Sequence, residues 1–293
     1  MAHGLPSGAR SDNHTRPAGT SADRLLAAAG RPTQRFNRLL FDRIRPDSPG
    51  ADLRSVGMNA IWAAVGGALG LLLGAAIRGT VFRLSVPSGD PSRITCPSCA
   101  APTASQLAGR CGQCRTSFGM PLLLELTMAL VLALLLGRFG GQADVVAFGF
   151  FGVLGVALAA IDIDVQRLPD LLTLPAYPIL IALLAGAAVV SHDFGALLRA
   201  LLGGVAVAGL YLLLALIRPG QIGGGDIKFA GVAGLALGWL GWAVLIDGTL
   251  LGFALSAVVS VALIAARRLT LRSGISFGPF LFAGALLVML AAG

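Results

Sequence analysis

Eight stretches of the chain are almost wholly apolar. They run over Met58 to Ile77, Met120 to Leu136, Val145 to Ala160, Leu171 to Val190, Leu197 to Ile217, Phe229 to Ile246, Leu250 to Ala265 and Phe277 to Leu290. About twenty apolar residues cross a bilayer as a helix, and several of these runs fall a little short of that. The pattern predicts an all-α polytopic membrane protein of about eight transmembrane helices, mostly joined by short connections as in a bundle. Gly66, Gly67, Gly70 and Gly74 in the first run suit close helix packing in lipid. No solenoid repeat is visible.

Two segments stand outside this pattern. Residues 1–57 are polar and rich in Arg, Ser, Pro and Gly, with no apolar signal-peptide core. They read as a disordered basic tail, since they cannot bury enough apolar surface to fold. Leu25 to Ala29 and Phe36 to Ile44 can form transient amphipathic helix at a membrane surface. Translation from Met58 is the other reading, and a chain beginning there is expected to retain full activity. The second segment, residues 79–119, separates the first helix (58–78) from a seven-helix domain (120–293).

Composition supports the membrane reading. Hydrophobic residues make up 56% of the chain and charged residues 12%, against about 25% charged in soluble domains; the mean hydropathy is +0.82. The net charge of +8 does not point to nucleic acid. The basic residues lie in the tail and the loops, without aromatic interleaving or a recognition motif. Their distribution suits membrane orientation and contact with anionic lipid. One side would carry Arg78, Arg83, Arg93, Arg110, Arg115, Arg167, Arg218, Lys228, Arg267, Arg268 and Arg272, the other Arg138 and Arg199. The first side is therefore expected to be cytoplasmic, with the chain in the plasma (inner) membrane and its N-terminus outside. The nine arginines of residues 1–57 oppose that placement.

The intervening segment holds all four cysteines, as Cys96-Pro-Ser-Cys99 and Cys111-Gly-Gln-Cys114. Two such knuckles can close a tetrahedral structural zinc site, and thiolate binding of the metal would fold this small loop. Two disulfides or free thiols are the alternatives, of which disulfides need an oxidising compartment.

The chemistry concentrates at two polar stretches. One is Gly223-Gly224-Gly225-Asp226-Ile227-Lys228, where three glycines allow a sharp turn or a close approach of another segment. The other is Asp162-Ile163-Asp164-Val165-Gln166-Arg167-Leu168-Pro169-Asp170. A carboxylate at the edge of a membrane span is costly and marks a functional site. Asp162 and Asp226 fall at matching depth on one face. Two such carboxyls sharing a proton can activate water and protonate a leaving amine, titrating as a coupled pair. Asp226, at a helix start where the dipole favours the anion, leans towards base and Asp162 towards acid; the opposite assignment stays open, and the roles exchange in turnover. Asp226 as a helix cap alone is the plainer reading. Asp164 should face away from Asp162, and Asp170 reads as an N-cap or first-turn acid. Asp193 and Asp247 are expected in solvated loops. Lys228 reads as an interface anchor or as a neighbour that biases Asp226. No Ser-His-Asp order, His-Glu-x-x-His or phosphate loop is present.

Asp162 with Leu168-Pro169-Asp170, followed by Gly223-x-Gly225-Asp226, resembles the type IV prepilin leader peptidases, membrane aspartic proteases of the Gly-x-Gly-Asp class. Arg83-Leu84, the four cysteines and Phe277-Gly278-Pro279-Phe280 agree, and the likeness runs from about Met58 to the C-terminus. The resemblance implies removal of the basic leader of prepilins or pseudopilins at the cytoplasmic face. It carries the catalytic role to Asp162 and Asp226 and the metal to Cys96, Cys99, Cys111 and Cys114. It also implies N-methylation of the new terminus from S-adenosylmethionine. Here the chain departs from the family. The loop between the cysteine pairs is short, and Pro121-Leu122-Leu123-Leu124-Glu125 puts the acid one residue late, a turn of about 100° on a helix. A proton-coupled transporter is the alternative from another class, since broken helices with glycine and intramembrane acids also serve carriers. It would place carboxylates near the midplane and has no use for a zinc knuckle. A structural scaffold leaves the paired aspartates unexplained.

Overall fold

A computed structural model describes residues 49–87, 90–102, 109–118, 122–219, 222–266 and 277–292. The chain divides into two compact units, Met1–Leu53 and Arg54–Gly293. Most of the expected tail, and Arg267, Arg268 and Arg272, lie outside the described residues. Everything below concerns the second unit.

Among the described residues there are eight α-helices: α1 (Pro49–Leu84), α2 (Leu123–Phe139), α3 (Val145–Val165), α4 (Asp170–Ser191), α5 (Phe194–Ile217), α6 (Gly224–Leu240), α7 (Trp242–Ala265) and α8 (Gly278–Ala292). Five are long and apolar enough to cross a membrane, namely α1 over Asn59–Leu84 together with α3, α4, α5 and α7. The expectation of eight spans stands at five by length and composition, because α2 and α6 have 17 residues and α8 has 15. The apolar part of α1 starts where the sequence placed it, but the helix begins at Pro49 and continues past Ile77 to Leu84.

One boundary differs for a clear reason. The sequence pattern suggests a break at Asp247, whereas α7 runs through that residue and the break falls at Gly241. A single acid does not interrupt a helix. Gly241 does, because its φ of 151° is reserved for glycine.

Helix α6 is the centre of the bundle. Every residue from Phe229 to Trp239 is buried, and α3, α4, α5, α7 and α8 all contact the helix. A helix that is apolar all round belongs inside. Its small residues let the neighbours come close. A side chain at Gly234 would meet the Gly203 carbonyl oxygen of α5 at 2.6 Å, and one at Gly238 would meet the Arg199 oxygen at 2.9 Å. The α1–α2 pair is built the same way. Gly66, Gly70 and Gly74 face Leu132, Ala129 and Glu125 in an antiparallel crossing, while Gly67 stands farther off.

Polar groups lock the two ends of α6. At its C-terminus Arg199 donates from Nε to the Gly238 oxygen (2.9 Å) and from Nη2 to the Trp239 oxygen (2.8 Å). These satisfy carbonyls that a helix end leaves free. The Trp239 indole donates to Asp144 Oδ2 at 2.8 Å, tying α6 to the start of α3. Asp193, expected to be merely solvated, caps α5 by accepting from the Ala196 N–H at 2.8 Å.

Gly234→Leu should destabilise the protein by about 1–3 kcal/mol through overpacking, read as a lower melting temperature in detergent. Gly209→Ala, where an added Cβ meets nothing within 4 Å, should leave it unchanged or slightly raised.

Candidate active site and metal centre

Asp162 lies one turn before the end of α3 and is buried at 4% exposure. A carboxyl in such surroundings needs partners. The backbone N–H of Gly278, the first residue of α8, donates to its Oδ2 at 3.1 Å. A side chain at position 278 would sit 2.9 Å from that oxygen, so glycine is what lets the backbone reach the acid.

Asp226 sits in the first turn of α6, and its N–H donates to the Gly223 oxygen at 3.0 Å. Its Oδ1 is buried without a hydrogen-bond partner among the described residues. The two carboxyls, 64 residues apart in the chain, are close enough to interact electrostatically. The helix ends bring both to the same end of the bundle.

The glycines before Asp226 do their work by proximity. None of Gly223, Gly224 and Gly225 has a positive φ, so the sharp turn allowed by the sequence is not what they supply. A Cβ on Gly225 would lie 2.6 Å from the Leu168 Cβ and 3.1 Å from its oxygen. One on Gly223 would lie 3.2 Å from Asp226 Oδ2, while one on Gly224 would meet nothing. Leu168, buried, also reaches toward Gly278. It therefore holds the loop after α3 against both Gly225 and the partner of Asp162.

The flanking charges settle elsewhere. Lys228 donates to Asp170 Oδ1 at 2.6 Å, an exposed ion pair joining the first turns of α6 and α4. The Lys228 oxygen accepts from the Tyr177 hydroxyl at 2.7 Å. Asp164 is exposed and faces away from Asp162, as the helical spacing predicts, and Asp170 is a first-turn acid of α4. Asp247 is exposed on α7.

The four cysteines converge. Their ligand atoms all lie within 4.8 Å of one another, with Cys96–Cys114 at 3.6 Å and Cys99–Cys111 at 3.5 Å. A tetrahedral ion with bonds of about 2.3 Å to sulfur needs sulfurs about 3.8 Å apart, so the set can hold one metal ion. The thiols are free, at separations far beyond the ~2.05 Å of a disulfide. Each knuckle folds by the same device. The residue after its second cysteine, Ala100 or Arg115, has φ near +57° (56° and 58°), and its N–H returns to the oxygen of Cys96 or Cys111. Hydrogen bonds from the Thr116 hydroxyl and backbone lower the pKa of the Cys114 thiol to about 6, while the neighbouring thiols push that of Cys99 up to about 12. Cys96 and Cys111 pack with Ala101, Phe118 and Phe82, and the Phe82 and Phe118 rings lie 4.6 Å apart. The part of α1 beyond Ile77 thus anchors the metal loop.

Sequence reading missed several partners. Arg78 of α1 and Glu125 of α2 form a buried ion pair at 2.9 Å. A side chain at Gly109 in the cysteine loop would collide with Arg78. Arg167 donates to the Pro87 oxygen at 3.0 Å, linking the Asp162 loop to the root of the cysteine segment. Tyr211 is wholly buried. The chain has only two tyrosines, both in apolar runs, and that was the available signal.

Comparison with known proteins agrees with this geometry. The sequence model of the type IV leader peptidase family matches residues 148–266, a stretch that includes both aspartates. A prepilin leader peptidase/N-methyltransferase of Burkholderia pseudomallei (strain K96243) is 34% identical over 221 residues, 69% of this chain and 67% of that protein. The chain belongs to the type IV leader peptidase family. Other prepilin leader peptidase/N-methyltransferases of the family include one from Aeromonas hydrophila, 33% identical over 214 residues (68% of this chain, 70% of that protein). One from Pseudomonas aeruginosa is 30% identical over 207 residues (64% and 67%). No solved structure matches.

Purified under reducing conditions, the protein should contain one metal ion per chain by elemental analysis. Cys99→Ser should reduce that to well below one, since loss of a thiolate opens the tetrahedron.

Proposed function

We propose that this member of the type IV leader peptidase family is a membrane aspartic endopeptidase that removes the leader of type IV prepilins or pseudopilins, with Asp162 and Asp226 as the catalytic pair. The observation that carries this is the meeting of two carboxyls from separate helices, one buried and held by the Gly278 N–H, the other with a buried oxygen left without a partner. A lone helix cap would need no second acid beside it.

Like charges this close favour a pair that shares one proton. The ionised carboxylate takes a proton from water as the water oxygen bonds to the scissile carbonyl carbon. The protonated carboxyl passes its proton to the peptide nitrogen, and the C–N bond breaks. The leader leaves with a new carboxylate and the pilin with a new amino terminus. Gly225 and Leu168 keep the two loops in register throughout.

The metal is zinc in this reading, with a structural role, because four thiolates leave no open position for substrate or water. We assign the cysteine and aspartate loops to the cytoplasmic face of the inner membrane on the arginine and lysine distribution, with all eight helices, including the shorter α2, α6 and α8, belonging to the membrane domain. Lipid is then the solvent of the outer faces. The substrate carries a basic leader, and nucleic acid has no place in the reading.

Methyl transfer is a separate matter. The relatives' names include N-methyltransferase, which calls for S-adenosylmethionine. The acid that corresponds in the chain, Glu125, is one residue late and is engaged by Arg78. A carboxylate whose Oε1 is held by Arg78 and whose Oε2 is buried does not present itself to that cofactor, and the mechanism above contains no methyl-transfer step. The transporter reading receives no support from the site, whose acids lie at helix ends.

Asp162→Asn and Asp226→Asn should each lower leader removal from co-expressed prepilin by at least about 10²–10⁴-fold while membrane insertion is retained, as read by mass spectrometry of the pilin. Full processing by either variant removes that residue from the pair. A reporter fused after Arg272 should read cytoplasmic and one fused after Ser191 external, and the reverse pattern would overturn the orientation.

A further inference from the structure

Tyr211 of α5 is fully buried, and its hydroxyl has no hydrogen-bond partner among the described residues. A hydroxyl withdrawn from water without a partner costs roughly 1–3 kcal/mol, and phenylalanine would fill the same space without that cost. The residue's surroundings show where the hydroxyl is useful.

The ring is held from two sides. It stacks on Phe253 of α7, with centroids 5.1 Å apart, and meets Phe277 edge-on at 5.6 Å. Phe253 and Phe277 also touch each other at 5.2 Å. Phe277 is bonded to Gly278, whose N–H binds Asp162. The aromatic trio therefore adjoins the support of one acid.

The register of α5 on α6 takes Tyr211 to the other. A side chain at Gly204 would approach Leu235 and the Gly231 oxygen, and one at Gly231 would approach the Ala208 Cβ at 3.2 Å. The helices are antiparallel, so three residues beyond Ala208 lies one turn nearer the start of α6, at the level of Asp226 to Lys228. Asp226 Oδ1 is the other buried oxygen here without a partner. A donor and an acceptor, neither with a partner among the described residues, thus lie at the same level of the bundle.

Building on the peptidase reading above, we propose that Tyr211 is a third polar group of the catalytic centre, whose hydroxyl donates a hydrogen bond to the scissile carbonyl oxygen. The proton stays on tyrosine. As water adds to the carbonyl carbon, the C=O electron pair moves onto that oxygen, and the fixed O–H meets the growing negative charge. When the C–N bond breaks, the pair returns and the hydrogen bond weakens. A donor held before the reaction starts stabilises the transition state without reorganisation. The stack on Phe253 and Phe277 supplies that rigidity.

The test is Tyr211→Phe in the full-length protein, assayed in detergent on purified prepilin. The substitution keeps both ring contacts and removes one oxygen. The proposal expects kcat to fall about 100- to 1,000-fold, with KM and metal content unchanged and the melting temperature the same or higher. A residue that serves packing alone leaves kcat at the wild-type value, so kcat and not stability separates the two readings. Wild-type kcat in Tyr211→Phe overturns the proposal, as does a loss of activity that tracks a lower melting temperature. Tyr211→Leu, which removes the ring as well, is expected to lower the melting temperature in addition to kcat. Asp162→Asn and Asp226→Asn are measured alongside. If they still cleave, the peptidase site itself has been misassigned. If they are inactive and Tyr211→Phe is fully active, only the role given to tyrosine fails.

Discussion

The structure depends on the burial of α6 on every side. A helix enclosed by five others can carry no bulky polar group along its middle, and from Phe229 to Trp239 it carries none. Its polar chemistry is pushed to its ends. At one end Arg199 and Asp144 tie the last carbonyls and the indole of Trp239 to neighbouring helices. At the other, Asp226 stands in the first turn with glycines before it. The close packing that keeps α6 central also sets the height of Asp226 relative to α3, α5 and α8. The acids meet because the backbones of these helices can approach where glycine takes the place of a side chain.

Much of this was legible in the sequence, and the parts that were not share a cause. Asp162 and Asp226 stood out because an acid beside an apolar run has an evident cost. The cysteine pairs stood out by spacing, and the structure brings all four sulfurs together. Asp247 misled for the same reason that Asp162 informed, since a charge in an apolar run resembles a boundary. The true break at Gly241 depends on a backbone angle that composition does not record. The partners of Arg78, Asp144 and Asp162 lie 47, 95 and 116 residues away in the chain, and no local pattern pairs such residues. The glycines before Asp226 were correctly singled out, but only the fold distinguishes Gly225, pressed on Leu168, from Gly224, which meets nothing.

The cysteine segment is joined to the membrane helices by side chains as well as by the chain. Phe82 enters its small core, Gly109 lies against Arg78, and the oxygen of Pro87 accepts from Arg167 in the loop that follows Asp162. An ion that ordered the knuckles would therefore act on the ends of α1 and α3 as well as on its own loop. This gives a metal without an open coordination position a bearing on the site, through the placement of a loop and with no part in bond breaking.

The one-residue joint at Gly241 has a consequence for how the protein is made. Helix α6 has 17 residues, two of them charged, and much of its remainder is glycine and alanine; alone it would partition poorly from the translocon into lipid. Helix α7, at 24 residues and a hydropathy of 2.2, partitions well. If α6 belongs to the membrane domain as proposed, the single residue between them would let the two enter the bilayer together as a hairpin, the stronger carrying the weaker. The helix least fitted to meet lipid would thus reach the membrane attached to one that tolerates it.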